Sequence, residues 1–526
     1  MNVGRLKNTP KRGKNGYVLE ENGTLYGYVL EENHTFYGYV LEEKMVEKYL
    51  LNSKKQYLCN RFQNKIPMYN RDLLSDLRDW KRKTSRKPLV LRGARQVGKT
   101  TLVDEFSHEF DYYIKLNLEK KSDRDIFERT DNVKEIIQYL YVRENIALHE
   151  TQAVLLFIDE IQESYSAVSL LRYFYEEAPD LYVIAAGSRL QKLLKHRQND
   201  QQLAKRSFPV GRVEYLNLRP FSFLEYLSAA GKQTWREQIE NLTVSELLHV
   251  DLQREFNTFA LIGGMPEVVS HYLTYHDLVT LAPIYKSLIT GYIEDVENYA
   301  TNEAQTRVIR HILNTGWHEG GSTIKFANFG NSTYTSTQIH EAMDVLSKAF
   351  IMQLAYPITS SQVPAIPIRR RSPKLIWMDN GLVNHKVGLA QEYLQNKNLL
   401  DTWRGRAAEH IVAQELQILL DKHIEDELCF WVRDKKGANA EIDFIWQKDG
   451  RIYPIEVKSG HNSKLQSLQV FVDNTDLPVT AIRFWNEPFS INDLTTPIGH
   501  KLYRLVNVPF YSIGMLEKII DNCKNN

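Results

Sequence analysis

The chain has 526 residues, 43% of them hydrophobic and 25% charged, with 66 Lys and Arg against 65 Asp and Glu. That length exceeds a single hydrophobic core and predicts roughly two to four domains of ordinary globular composition. A net charge of +1 excludes a global field that would draw the molecule to nucleic acid or membrane, so any basic surface must be local. The longest apolar runs, Ala153 to Ile158 and Leu181 to Ala186, are far below membrane-span length, and no membrane partner is expected. The N-terminus is polar and basic without an apolar centre, unlike a secretory signal. Cys59, Cys429 and Cys523 lie far apart and form no C-x-x-C pair, which points to a reducing, cytoplasmic location without structural zinc.

In chain order, the first segment (1–65) is a repeat-containing arm. Gly-Tyr-Val-Leu-Glu-Glu recurs at Gly16, Gly27 and Gly38. A glycine in every copy, followed by β-prone Tyr and Val, argues against helix, and Asn22-Gly23 suits a hairpin turn. Near-identity of the copies reads as a tandem duplication with little fixed structure.

From Arg71 to about Leu227 strands alternate with helices, which predicts a mostly parallel sheet covered on both faces. The apolar run Leu89-Val90-Leu91 breaks at Gly93, and a helical pattern starts near Lys99. Between them Gly93 to Thr100 fits G-x-x-x-x-G-K-T at every fixed position. Glycines let this loop turn its backbone N–H groups toward a phosphate, and the helix N-terminus adds a positive dipole end. The loop residues Gly93, Ala94, Arg95, Gln96, Val97, Gly98, Lys99, Thr100 and Thr101 are therefore assigned to ATP. Lys99 reaches the β- and γ-phosphates and the Thr100 hydroxyl ligates Mg²⁺.

Strands are expected at Tyr112 to Leu118, Ala153 to Ile158, Leu181 to Ala186 and Val213 to Leu218. The second element of chemistry is the Asp159-Glu160 pair that follows Ala153 to Ile158. Asp159 is expected in the Mg²⁺ shell, with Glu160 orienting or deprotonating the attacking water. Ser188, after the next strand, is a candidate γ-phosphate contact, although a plain turn serine fits as well. Arg206 or Arg212 is a candidate arginine finger across a subunit boundary, which makes a second copy of the chain a candidate partner.

The runs Leu91 to Thr101, Phe157 to Gln162 and Ala186 to Ser188 resemble prokaryotic AAA-type P-loop ATPases. Together with Arg219-Pro220-Phe221-Ser222-Phe223 and Gly263-Gly264-Met265-Pro266-Glu267, they are similar to the group that joins such an ATPase to a C-terminal domain of unknown function. The resemblance spans about Arg71 to Leu505. It implies a helical lid in which Gly264 and Pro266 approach the nucleotide; a helix cap followed by a turn is the plain alternative.

Ser245 to Tyr299 is helical throughout and suits that lid. Arg307 to about Thr359 has two helical runs, a Gly-rich gap, a third helix at Ser336 to Ala349 and a β-like tail, an order that suits a winged helix. Arg369-Arg370-Arg371 with Lys374 makes a basic run, a candidate clamp for a DNA backbone, although most such runs are solvated loops.

A final pattern closes the chain. Arg404 to Glu409 opens an amphipathic helix, and Glu441 to Trp446 is a strand. After Asp449-Gly450 a second strand carries Glu456-Val457-Lys458. Alternation along a strand puts Glu456 and Lys458 on one face, and a hairpin brings Asp443 opposite them. With Glu409 from the helix, the set resembles the D…E-x-K core of restriction-endonuclease-like nucleases. The resemblance implies Asp443, Glu456 and Lys458 as catalytic groups and Glu409, Asp443 and Glu456 as metal ligands. Pro454 cannot donate to a ladder, so its strand is expected at an edge or with a bulge.

The expected architecture is α/β. Its segments are the arm (1–65), an ATPase core (66–230), a helical lid (231–300), a winged-helix-like module (301–365) and a nuclease-like domain (366–526). The expected function is ATP binding and hydrolysis coupled to a nuclease-like, DNA-interacting C-terminal domain. The rival is a nucleotide-gated DNA- or protein-binding switch that cuts nothing.

Overall fold

The computed structural model describes residues 7–11, 14–21, 24–30, 36–40, 69–147, 152–187, 211–295, 300, 302–389, 406–421, 427–434, 440–459 and 465–525. Two compact units divide the chain, Met1–Met68 and Tyr69–Asn526. In the first, β1 (Lys7–Lys11), β2 (Lys14–Glu21), β3 (Thr24–Leu30) and β4 (Phe36–Val40) pair in sequence order as an antiparallel sheet. The repeats thus form strands, where the sequence reading expected little fixed structure. Glu21 pairs with Thr24, so one eleven-residue copy supplies one strand and its connection, and the turn length sets the register.

The second unit opens with a five-stranded parallel sheet. Its strands are β5 (Leu89–Arg92), β6 (Tyr112–Asn117), β7 (Val154–Asp159), β8 (Tyr182–Gly187) and β9 (Glu214–Asn217), in the order β6-β7-β8-β5-β9. Every residue of β7 is buried, as a central strand covered on both faces requires. Helices Lys121–Arg129, Val133–Arg143 and Tyr165–Glu177 contribute to the core on one face. The core on the other face runs on without a break through the lid and into the C-terminal half.

The lid comprises helices Glu246–Ile262, Pro266–Tyr275 and Ala282–Glu294. Gly263 (φ 74°) ends the first, and Pro266 starts the second where its missing N–H costs nothing. Helices Glu303–Thr315 and Ser336–Lys348 follow, then β10 (Met352–Ile358) and β11 (Lys374–Trp377), an antiparallel pair. Among the described residues one α-helix, not the expected two helical runs, precedes the Gly-rich gap, Ser336–Lys348 is the expected later helix, and the expected β-like tail is one arm of a hairpin. The hairpin is not free-standing, however, because β10 also pairs in parallel with β12 (Cys429–Val432).

An eight-stranded mixed sheet results. It adds β13 (Glu441–Lys448), β14 (Arg451–Val457), β15 (Val479–Trp485), β16 (Ser490–Thr495) and β17 (Leu502–Pro509), in the order β11-β10-β12-β13-β14-β15-β17-β16. Segments 301–365 and 366–526 therefore share one sheet. β14 is central rather than at an edge. Pro454 pairs with Ile445 on β13, while the ladder to β15 starts only at Ile455, so no hydrogen bond is missed on that side. No helix of the described residues is long and apolar enough to cross a membrane.

Helix Arg406–Leu420 packs against β11 and β14, and Glu415 and the following Asp421 reach the ATPase side at Phe223 and Arg219. Its Glu415 is fully buried and accepts from the Phe223 backbone N–H, capping the ATPase-side helix Phe223–Ala229. Burial pushes Glu415 from 4.5 up to about 8. A folded value above the unfolded one means that the native state holds the proton more tightly. The stabilisation this supplies is complete below about pH 4.5 and is lost as pH rises toward 8. Glu415→Gln, which mimics the protonated form, is expected to raise the melting temperature at pH 8.5 and to change it little at pH 4. Thermal melts at the two pH values check this.

Candidate functional site

The carboxyl ends of β5, β7 and β8 converge, which is where open parallel sheets bind ligands. After β5, the loop bends at Gly93, where a Cβ would stand 2.2 Å from the Leu218 carbonyl oxygen. Gln96 (φ 63°) and Gly98 (φ 95°) complete a left-handed turn before helix Lys99–Phe106. The Lys99 ammonium is buried and donates to the Gly93 (3.0 Å) and Ala94 (2.7 Å) carbonyls, which fixes its stem across the mouth of the loop.

Thr100 donates its hydroxyl proton to Asp159 Oδ2 at 2.7 Å. Burial pushes the Asp159 carboxyl up, while the Thr100 and Glu160 hydrogen bonds and the Lys99 charge act the other way. Glu160 sits in the left-handed region (φ 51°), turning its side chain off the strand line, and its carboxylate accepts from the Gln162 amide. A hydroxyl and a carboxylate side by side beneath a glycine loop are the donor set that Mg²⁺ uses beside a triphosphate. These residues fit the ion and the nucleotide.

Groups remote in sequence brace the loop. The buried Arg71 donates Nη1 to the Val97 carbonyl (3.0 Å) and Nη2 to the Arg219 carbonyl (2.6 Å), and pairs through Nε with Glu225 (2.9 Å). From the lid, the Tyr292 hydroxyl donates to the Arg95 carbonyl at 3.0 Å, and Arg95 lies 3.3 Å from Asp295. Pro266 reaches the loop as well, its Cγ 3.9 Å from where a Cβ on Gly98 would stand.

Gly264 faces away from the loop. Its N–H donates to Asp379 Oδ2 at 2.6 Å, and its carbonyl accepts from Phe221 N at 2.8 Å. Asp379 is fully buried and also caps helix Asn380–Lys386 through Leu382 N (3.0 Å). Burial pushes its carboxyl up to about 6, against the pull of the backbone N–H groups around it. Asn380 and Asn384 donate to the carbonyls of Ala260 and Leu261 at the end of the first lid helix. Lid and C-terminal half are thus locked backbone to side chain.

The expected Ser188 and Arg206 lie outside the described residues. Arg212 pairs with Glu176 at 3.0 Å. In the basic run, Arg369 pairs with Glu427 and Arg371 with Asp434, each at 2.6 Å. Lys374, read as part of that run, points inward instead.

The C-terminal set does converge. Asp443 Oδ2 accepts from Val457 N at 2.7 Å, between Glu456 and Lys458, whose side chains pair at 2.6 Å. The Lys374 ammonium lies 2.9 Å from both Glu409 and Glu441 and 3.7 Å from Asp443. Burial alone would push Lys374 down, but Asp443, Glu409 and Glu441 outweigh it and hold it above the ordinary lysine range. Burial and the Asp443 charge raise Glu409 and Glu456 to about 7 each. Among the described residues, no group of three or more His, Cys, Asp or Glu side chains is arranged to hold a metal ion. Of the expected ligands Glu409, Asp443 and Glu456, the first two face the Lys374 ammonium and the third pairs with Lys458.

Sequence reasoning missed Arg71, Gln162, Tyr292, Asp379 and Glu441, and it misplaced Lys374. Only Gln162 had a local signal, two positions beyond Glu160.

Residues 85–227 match a family model described as an AAA domain. Residues 253–393 and 404–501 match models described as domains of unknown function, DUF8612 and DUF4143. Among solved structures, the Walker-type ATPase PABY2304 of Pyrococcus abyssi is similar at 16% identity and a TM-score of 0.38, over 61% of this chain and 96% of that one. The STAND protein with a tetratricopeptide repeat sensor, PH0952 of Pyrococcus horikoshii, aligns at 12% identity and a TM-score of 0.23, over 65% and 47%. PCH-2 of C. elegans aligns at 11% identity and a TM-score of 0.21, over 55% and 70%. No curated protein matches the chain. The chain carries a P-loop ATPase domain, followed by two segments whose models describe no activity.

Proposed function

We propose that the chain binds ATP with Mg²⁺ at Gly93 to Thr101 and hydrolyses it. The observation that carries this is the Thr100–Asp159 hydrogen bond beside the Lys99 cradle. Thr100 and Asp159 would hold the ion, which neutralises charge on the transferred phosphoryl group. Lys99 and the loop N–H groups bind the phosphates. Glu160 accepts the proton of the attacking water, and Gln162 holds that carboxylate in place. The experiment is ATP turnover by the full chain, with and without Mg²⁺.

Nucleotide state is relayed to the C-terminal half through the lid. Tyr292 and Pro266 touch the loop, and Asp379 grips the same lid at Gly264. This interlock favours a nucleotide-gated switch acting on DNA or protein. Stimulation of turnover by single- or double-stranded DNA would identify the partner as nucleic acid, and the absence of stimulation would leave protein.

A further inference from the structure

Divalent cations take roughly six or more oxygen ligands, waters included, and need carboxylate oxygens facing the ion. The D…E-x-K cluster has few to offer. Glu409 Oε2 and Glu441 Oε1 are each 2.9 Å from the Lys374 ammonium, which also donates to the Asp443 backbone carbonyl at 3.3 Å. Asp443 contributes Oδ1 to the same ammonium and spends Oδ2 on the Val457 N–H. Glu456 Oε1 is taken by Lys458, and Glu456 Oε2 alone is buried without a hydrogen-bond partner. The carboxylate oxygens of Glu409, Glu441 and Asp443 that an ion would need face the ammonium instead.

Lys374 is built into this position. Its side chain is 2% exposed, and the rings of Phe430 and Phe444 lie 5.1 and 5.3 Å from the ammonium. It comes from β11, Glu409 from helix Arg406–Leu420, and Glu441 and Asp443 from β13. Opposite charges on three elements, meeting at an ammonium that is itself out of water, bind them to one another only while all are present.

We infer that Lys374 is a resident cation that stands in place of a divalent ion, so that the C-terminal cluster is a metal-free clamp joining β11, the 406–420 helix and β13. Compact charge at the centre of a ring of carboxylates excludes a second cation by repulsion, and an ion enters only when the ammonium is gone.

Mn²⁺ alone, titrated into the nucleotide-free full chain and followed by the EPR signal of free Mn²⁺, tests this. An Asp159→Asn background removes the ion ligand of the ATP site, so the reading is independent of the ATPase assignment. In that background the expected result is no stoichiometric uptake up to millimolar Mn²⁺. Adding Lys374→Met, which keeps the stem and removes the charge, is expected to create a site for one Mn²⁺ at least about tenfold tighter. Uptake of one ion per chain before Lys374 is changed, lost again in Asp443→Asn, would overturn the inference. So would a folded Lys374→Met protein that takes none. Should Lys374→Met fail to fold, as circular dichroism would show, the titration with Lys374 intact decides alone.

Discussion

Glu160→Gln is expected to lower ATP turnover by about 10² to 10⁴, the usual cost of losing a general base and roughly 3 to 5 kcal/mol of barrier, while ATP affinity stays within a few-fold. The separation follows from the geometry. In the proposed site nucleotide and ion binding fall to Lys99, which donates to the Gly93 and Ala94 carbonyls, and to the Thr100–Asp159 pair, while water activation falls to Glu160. Glutamine is isosteric and its amide oxygen still accepts from Gln162, so the local turn at φ 51° is kept. What it lacks is a site for the water's proton. Single-turnover phosphate release measures the first quantity and calorimetry with ATP the second. Loss of both together would mean that Glu160 belongs to the binding set.

Lys99→Ala is expected to weaken ATP binding by at least about a hundredfold. An ammonium shared between two phosphates is worth roughly 3 kcal/mol or more in a site shielded from water. Lys99 is buried, and its two carbonyl contacts hold it in the loop. Arg95 and Arg92 are too committed to replace it. Arg95 lies against Asp295, while Arg92 stacks 4.3 Å over Tyr215 on the sheet side. Calorimetry reads the affinity, and a melting temperature matching that of the parent protein shows that the loop change leaves the fold intact.

The candidate ATP site was legible because its chemistry is contiguous. Eight residues from Gly93 to Thr100 carry the loop, and the apolar run into Asp159-Glu160 names its strand and its acids in one phrase. The E-x-K alternation likewise placed Glu456 and Lys458 side by side, since period two is a property of the strand itself. What was not legible depends on partners far away in sequence. Asp379-Asn380-Gly381 reads as a turn, and only the approach of Gly264 makes Asp379 a lock. Arg71 precedes the first strand with no local reason to face Val97 or Glu225. Lys374 follows three arginines and reads as surface. Its burial comes from helix Arg406–Leu420, which supplies Glu409 from beyond residue 400. Pro454 reads as an edge or bulge signal because it cannot donate to a ladder, yet its strand is central, because the ladder to β15 begins one residue later, an offset fixed only by tertiary register.

Phosphate release from ATP by the full chain, compared with Lys99→Ala at equal protein concentration, tests the central claim most directly. The account predicts Mg²⁺-dependent turnover by the unaltered chain that EDTA abolishes, with Lys99→Ala at background. Equal release by the two proteins, or none above background from the unaltered chain with Mg²⁺ and saturating ATP, would contradict it.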